Sequence, residues 1–183
     1  MGRVSQAEAR ANRAAAVQAA TRLFRESGVA NVGVADVMKS VGLTPGGFYK
    51  RFPSKAALVD EAVGMGFTDM LRYLSELSED TDDHAAAWQA LLDTYLSVQH
   101  RDDPGEGCPA AGFAGDIARD PAPRQTYATG VREMAAWIAP GDAGLAALAT
   151  LVGGVLLARA TAGSPVSEEI LRAVSDAASP LPE

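Results

Sequence analysis

The sequence predicts an all-α protein of about nine helices. Apolar residues recur at helical spacing along most of the 183 residues, and no segment shows the two-residue alternation of a half-buried strand. Alanine, the strongest helix former, is abundant, whereas aromatic residues make up only 6% of the chain. Glycine, proline and short polar segments divide the periodic stretches into helices of ordinary length.

Two helices are predicted before residue 42. The first runs from about Gln6 to Ser27, and it ends at Gly28, a residue type common at helix C-caps. The second spans roughly 34–41, with Gly33 at its N-cap. Its apolar residues follow the i, i+3, i+4, i+7 spacing of a buried face, namely Val34, Val37, Met38 and Val41.

A third, short helix begins at Thr44, a favourable N-cap, with Pro45 at the first helical position, where its missing N–H is harmless. Its inward-facing residues are predicted to be Phe48 and Phe52. After Pro53, six further helices are predicted. They run from Ser54 to about Ser78, over about 83–100, from Cys108-Pro109 to about Ala118, from the turn at Pro121 and Pro123 to about Ile138, over about 143–161, and from an N-cap at Ser167 onward.

The charge is unevenly distributed. The chain carries a net charge of −7. Residues 1–55 nevertheless hold nine Lys and Arg against three Asp and Glu, a balance of +6, whereas residues 56–183 hold seven against twenty, a balance of −13. A basic N-terminal module on an acidic body can follow DNA phosphates locally, while the body is repelled from them.

Two short helices joined around Gly42 and followed closely by a long helix form a helix-turn-helix arrangement. Residues 42–55 read GLTPGGFYKRFPSK, and this segment closely resembles the recognition segment of the TetR family of repressors. Residues 28–41 resemble the second helix of the same family, and the likeness extends over about residues 8–62. The resemblance implies a DNA-binding domain over residues 1–53 and a helical ligand-binding and dimerisation domain over residues 54–183.

The resemblance and the side-chain chemistry indicate the same DNA-binding residues. The predicted set is Thr44, Pro45, Gly46, Gly47, Tyr49, Lys50, Arg51 and Lys55, with Arg3 and Arg10 in or near a preceding arm. Adjacent glycines permit a close approach to DNA, and basic side chains reach phosphates or guanine acceptors. A lysine in the first turn of a helix opposes the helix dipole, so a phosphate partner is expected for Lys55. For Arg3, Arg10 and Arg13, solvated surface charge is an equally good interpretation. Where the family usually has Ser or Thr, this chain has Gly33, so one phosphate contact is expected to be missing.

The last two long helices are the predicted homodimer interface. One helix-turn-helix makes few contacts, so such modules usually bind two half-sites as dimers. The predicted eighth helix is apolar nearly all round, and Ile170, Leu171 and Val174 lie on the ninth, so a four-helix bundle across a two-fold axis would bury both. TetR-like proteins dimerise in this way. The alternative is that the eighth helix is the core helix of a monomer.

Aromatic and methionine residues between the DNA module and the dimer helices are candidate contacts for a partly apolar small-molecule inducer. The candidates are Phe67, Met70, Leu71, Trp88, Leu92, Tyr95, Phe113, Met134, Trp137 and Ile138. Ordinary core packing is the alternative for each of them.

Cys108 is the only cysteine, which excludes an internal disulfide and a cysteine-built zinc site. It precedes Pro109 at a predicted helix N-terminus, where a thiolate is favoured, so a thiol sensor and a buried small hydrophobe are the two interpretations. Cys108 with His100 is the only plausible nucleophile and base pair, and no oxyanion motif accompanies it, so an enzyme is not expected.

No cofactor or metal centre is predicted, because the two histidines are far apart in sequence. The longest apolar run, 145–158, is about 14 residues, shorter than the ~20 of a membrane span, and no secretion signal is visible. We therefore expect a cytoplasmic repressor that binds a palindromic operator as a homodimer and is released by a small molecule. The alternatives are a transcriptional activator, or an architectural or adaptor DNA-binding protein without ligand response.

Overall fold

The computed structural model describes residues 5–81 and 83–181, and the regular structure within these ranges is entirely helical. The all-α prediction is therefore confirmed. The nine α-helices are α1 (Gln6–Ser27), α2 (Val34–Ser40), α3 (Lys55–Asp80), α4 (His84–Tyr95), α5 (Val98–Asp102), α6 (Pro109–Arg119), α7 (Arg124–Ile138), α8 (Gly141–Ala160) and α9 (Pro165–Ala178). A 3₁₀ helix, Pro45–Lys50, lies between α2 and α3 and makes ten helices within these ranges, where about nine were predicted.

The predicted fifth helix is in fact two helices, so the single helix expected over 83–100 is wrong. The Ser97 hydroxyl caps a new helix by accepting the N–H of His100 at 3.1 Å. His100 Nδ1 lies 2.6 Å from the carbonyl oxygen of Tyr95, which a continuous helix would have used for a backbone bond. The Ser97 hydroxyl thus offers the backbone a hydrogen bond that competes with the continuation of the helix, and α4 ends at Tyr95.

The predicted N-cap of the last helix is also wrong. Ser164 occupies the N-cap of α9, and Pro165 takes the first helical position. Ser167 instead lies buried inside the helix, where its hydroxyl donates to the carbonyl oxygen of Ala158 at 2.7 Å and accepts from Arg101 at 2.9 Å. This serine thus joins α9 to α8 and α5.

A continuous set of buried side chains runs from the N-terminal helices into the rest of the molecule. Helix α3 packs against α1 on one side and against α4, α6 and α7 on the others. Helix α8 lies between α7 and α9, and Gly154 permits the close approach of α9, because a Cβ atom there would lie 2.9 Å from Val174. The N-terminal helices are therefore held on the long helix α3 rather than on a flexible linker.

Helix α8 is longer than its uninterrupted apolar run. Over the described residues it is the one helix that is long and apolar enough to cross a membrane, with a mean hydropathy of 1.8. The length of the uninterrupted apolar run alone therefore does not decide whether α8 could span a membrane. Only 33% of the apolar stretch of α8 is buried within the chain, so packing in the core of a single chain does not account for the apolar composition of this helix.

Candidate nucleic-acid interface

The 3₁₀ helix has a buried face and an exposed face, as the sequence predicts. Phe48 and Phe52 are fully buried, with their ring centroids 5.2 Å apart. Tyr49 projects outward with 75% of its surface exposed, and its ring meets the edge of Phe48 at a centroid distance of 5.1 Å. Thr44, Pro45, Gly46 and Lys50 are exposed on the same helix or at its start. The two phenylalanines thus fix the helix while its outer side stays open to a partner.

Thr44 stands at the N-cap, but its hydroxyl makes no capping bond. The N–H of Gly47 bonds instead to the backbone carbonyl of Thr44 at 3.0 Å, the i to i+3 pattern of a 3₁₀ helix. Because this bond satisfies the N–H group, the hydroxyl is left available. At the start of α3 the predicted cap is confirmed, since the Ser54 hydroxyl accepts the N–H of Ala57 at 3.1 Å.

Arg51 turns back onto its own helix. Its Nη1 donates to the carbonyl oxygen of Gly47 at 2.8 Å, and its Nε is buried without a hydrogen-bond partner among the described residues. This bond uses one of the five N–H donors of the guanidinium, so the partly exposed Arg51 can still contact DNA through another.

Arg13 holds the end of the 3₁₀ helix in place, a role that the sequence did not reveal. Its guanidinium pairs with Glu61 of α3 at 2.6 Å and lies 4.8 Å above the ring centroid of Phe52. Its Nε donates to the carbonyl oxygen of Arg51 at 3.4 Å. The available signal was spacing, because Arg13 precedes the buried Val17 by four residues on one face of α1.

The Arg13→Gln variant is expected to lower the free energy of unfolding by about 1–2 kcal/mol, because it removes both the ion pair and the cation–π contact. It should also weaken DNA binding by loosening the 3₁₀ helix. Chemical denaturation and DNA titration measure the two effects, with Arg10→Gln on the same helix as the exposed control for stability. Equal stability of the two variants would contradict the role of Arg13.

Lys55 lies at a junction of three segments. Its Nζ donates to the carbonyl oxygen of Val29 at 2.5 Å, beneath the turn between α1 and α2, and lies 5.9 Å from the ring centroid of Phe24. The N–H of Val29 donates to Asp116 of α6 at 3.1 Å. The predicted phosphate contact of Lys55 is not excluded by this bond, because an ammonium group has three donors. The role of Asp116 was not predicted from the sequence.

The remaining DNA-binding candidates are placed as follows. Arg10 is exposed on α1, whereas Arg3 lies outside the described residues. Gly33 occupies the N-cap of α2, as predicted, and its N–H donates to the Asp36 carboxylate at 2.8 Å. The carboxylate thus performs half of a capping box, and the side-chain half is missing because glycine has none.

The structure does not bring the predicted ligand-binding residues into one cavity. Trp88, Leu92, Phe113, Met134 and Ile138 are buried in the core, and the indole N–H of Trp88 donates to the carbonyl oxygen of Ala178 at 2.9 Å. Phe67 and Leu71 border a groove beside α7, and Trp137 donates to the hydroxyl of Ser78 at 3.0 Å. Of the predicted ligand-binding residues, Met70 and Tyr95 are the two that line a cleft of about 280 Å³ between α1, α3, α4 and the loop before α6.

Cys108 is the N-cap of α6, as predicted, but it is fully buried. Burial raises the pKa of the Cys108 thiol, so the expected stabilisation of a thiolate is overturned by desolvation. Burial also lowers the pKa of His100, and both of its ring nitrogens face the backbone. Nδ1 lies 2.6 Å from the Tyr95 carbonyl, and Nε2 accepts the Cys108 N–H at 3.0 Å. His100 therefore has no nitrogen directed at the thiol, and the nucleophile and base pair considered from the sequence is not assembled.

The N-terminal helices match a known protein family, and the whole fold is similar to several solved structures. The family model described as bacterial regulatory proteins, tetR family, matches residues 16–62, which include α1 from Ala16, α2, the 3₁₀ helix and the start of α3. No curated protein matches the sequence.

Several solved structures share the fold over nearly the whole chain. A TetR-family transcriptional regulator from Agrobacterium tumefaciens aligns with a TM-score of 0.76 and 20% identity, over 92% of this chain and 98% of the other. A TetR regulator from Chloroflexus aurantiacus gives 0.74 and 21%, over 93% and 96%. The reduced form of E. coli NemR gives 0.74 and 17%, over 91% and 96%. These identities are low, so the likeness shows a common fold.

Proposed function

We propose that the protein is a DNA-binding transcriptional regulator of the TetR family, and that it is a ligand-released repressor acting as a homodimer on a palindromic operator. The match of residues 16–62 to the tetR-family domain and the fold shared with solved TetR-family regulators support this proposal. The observation that carries the proposal is the exposed side of the 3₁₀ helix, where Tyr49 and Lys50 point outward from the buried Phe48. A domain boundary near residue 53, where Pro53 separates the 3₁₀ helix from α3, belongs to the same proposal.

In the proposed complex the 3₁₀ helix enters the major groove with its leading end towards the bases. Tyr49 donates its hydroxyl to a phosphate, and Lys50 reaches a phosphate or a guanine edge. Thr44, whose hydroxyl makes no capping bond, adds a backbone contact. The positive balance of residues 1–55 supports this orientation, because the acidic remainder of the chain would be repelled from DNA.

The proposed dimer pairs α8 and α9 with the same helices of a second copy. Leu145, Leu156 and Leu157 of α8 are 44%, 40% and 59% exposed in the single chain, and Val166 of α9 is 46% exposed. A Cβ atom at Gly153 would meet nothing within 4 Å, so this outer face also contains open space for a close partner helix. An apolar face of this kind is typical of a four-helix dimer interface, and its covering explains the composition of α8 without a membrane.

Release by a ligand requires a connection between the body and the DNA module. Two contacts can carry it: Asp116 of α6 bonds to the N–H of Val29, and Arg25 of α1 bonds to the carbonyl oxygen of Gly107 before α6. A ligand that moves α6 relative to α1 would change the spacing of the two recognition helices. A coupling of about 1–3 kcal/mol gives a 5- to 150-fold loss of operator affinity. Such a regulator acts in the cytoplasm.

Selection of bound sequences from random duplex DNA tests the proposal. The expected result is an inverted repeat whose half-site centres lie about 34–36 Å apart, because a two-fold dimer presents its recognition helices one turn apart. Binding without sequence preference and with a steep dependence on salt would instead support the architectural alternative and contradict ours. In vitro transcription from a promoter that overlaps the selected site then separates repression, seen as fewer transcripts, from activation.

A further inference from the structure

The cleft between α1 and the body contains an arginine in mainly apolar surroundings. Its volume is about 280 Å³, which suits a small organic molecule. The residues that matter for the argument are Arg25, Met70, Tyr73, Leu91, Tyr95 and Pro109. Met70 and Tyr73 lie on α3, Leu91 and Tyr95 lie on α4, and Pro109 begins α6. Arg25, on α1, is therefore the residue that the DNA module contributes to the lining of the cleft.

Arg25 is held in position by backbone carbonyl groups, and among the described residues no carboxylate contacts it directly. Its Nε donates to the carbonyl oxygen of Thr21 at 3.0 Å, and its Nη1 donates to that of Gly107. The stem lies against Gly112, where a Cβ atom would come within 2.7 Å of the arginine Cγ. Over residues 5–81 and 83–181, no carboxylate lies within 4.0 Å of its guanidinium. Burial is the largest influence on Arg25 and lowers its pKa, while more distant carboxylates partly offset this effect.

The two acidic residues of the cleft are engaged elsewhere. Asp69 pairs with Arg72 at 2.9 Å, and Glu106 lies 3.7 Å from Arg22, with both pairs on the surface. Neither carboxylate contacts Arg25 directly, but Glu106, Asp69 and Asp103 attract its charge from farther away and raise its pKa. These carboxylates disfavour a ligand with more than one negative charge.

We propose that this cleft binds a small monocarboxylic acid with an apolar body, and that such an acid is the inducer. The carboxylate pairs with Arg25, while the apolar body lies against Met70, Leu91 and Pro109. This inference rests on the proposed function, because it names the ligand class and the site of release. Arg25 belongs to α1, so the acid competes directly with the Gly107 carbonyl for the guanidinium and loosens the contact between the DNA module and the loop before α6.

Binding is tested on the full chain with three probes of similar size: benzoate, benzamide and benzylamine. Methyl NMR of the methionines locates the probe, because Met70 lines the cleft whereas Met38 is buried between the N-terminal helices. Benzoate is expected to shift the Met70 methyl signal with a dissociation constant of about 1 mM and to leave Met38 unchanged. Benzamide, which lacks the charge, and benzylamine, which reverses it, are expected to bind at least about tenfold more weakly. Equal binding of benzamide, or no Met70 shift with benzoate, would overturn the inference.

Two variants give a second arm. Arg25→Gln should abolish the preference for benzoate, whereas Arg132→Gln, which changes an exposed arginine of α7 outside the cleft, should retain it. If Arg25→Gln fails to fold, the probe comparison on the unaltered chain decides the matter alone. Benzoate should also lower operator affinity about 5-fold or more at saturation. DNA binding without benzoate tests the proposed function separately. Operator binding with no benzoate effect would overturn only this inference, whereas absence of operator binding would overturn the proposed function and the inducer role and leave the carboxylate site to be judged by the three probes.

Discussion

Replacing Leu156 and Leu157 of α8 together by glutamate is expected to yield a folded monomer that no longer recognises its operator. Both side chains are exposed in the single chain, at 40% and 59%, so the substitution leaves the core of each subunit unchanged. In the proposed dimer the same positions face a second apolar helix, where four carboxylates would lose their water and repel one another. Specific affinity should fall by about 10³-fold or more, to the level of non-specific binding, because a single half-site remains in contact.

Sedimentation measures the molecular mass of the variant, and fluorescence anisotropy with the selected operator measures its affinity. The matched control is Val98→Glu, which introduces the same residue at an apolar position that is 39% exposed on α5, a helix outside the proposed interface. The control should remain dimeric and bind normally. A double variant that stays dimeric, or a monomer that binds the operator as tightly as the unaltered protein, would refute the dimer through α8 and α9.

The sequence predicted the fold well where helix boundaries depend on local chemistry. Gly28 ends α1 with a φ of 79°, a backbone conformation that favours glycine, and the predicted range Gln6–Ser27 is confirmed. Ser54 and Asp83 cap the next long helices through bonds that span only three residues. Such signals lie within a few positions of the boundary, so a single sequence contains them in full.

The errors arise where a side chain has a partner far along the chain or replaces a backbone bond. Ser167 looks like a helix cap, but Ala158 and Arg101 occupy its hydroxyl in the folded protein. Likewise, His100 takes the carbonyl oxygen of Tyr95 and helps to divide the predicted fifth helix. These interactions depend on tertiary packing, which periodicity along the sequence does not describe.

The same distinction applies to the candidate sites. Tyr49 was predicted to be exposed from its place on the motif, and its outward position agrees with that interpretation. Arg51 and Lys55 have long side chains with intramolecular partners, which the motif alone did not reveal. The cleft was missed because sequence reasoning searched for apolar side chains after residue 53, whereas the central polar group, Arg25, comes from the first helix.

Removing the hydroxyl of Tyr49 should weaken operator binding without affecting the fold. In Tyr49→Phe the ring keeps its edge contact with Phe48, and only the bond to a phosphate is lost. A hydrogen bond to a charged group contributes about 1.5 kcal/mol, and the dimer contains two copies, so the loss is about 3 kcal/mol, or roughly 100-fold in affinity. Tyr73→Phe on α3, measured without ligand, is the control, because it removes the hydroxyl of a half-buried tyrosine outside the 3₁₀ helix and should leave DNA affinity unchanged.

Salt dependence distinguishes a phosphate contact from a merely local disturbance. Lys50→Ala should reduce the slope of log affinity against log salt by about two for the dimer, since each subunit then releases one counterion fewer. Tyr49→Phe carries no charge change and should lower affinity at every salt concentration while leaving the slope as it was. Tyr49→Phe and Lys50→Ala should both retain the melting temperature of the parent, because both side chains are exposed. If both bind the operator like the parent, the outward side of the 3₁₀ helix does not face DNA, and the groove must be read by another surface.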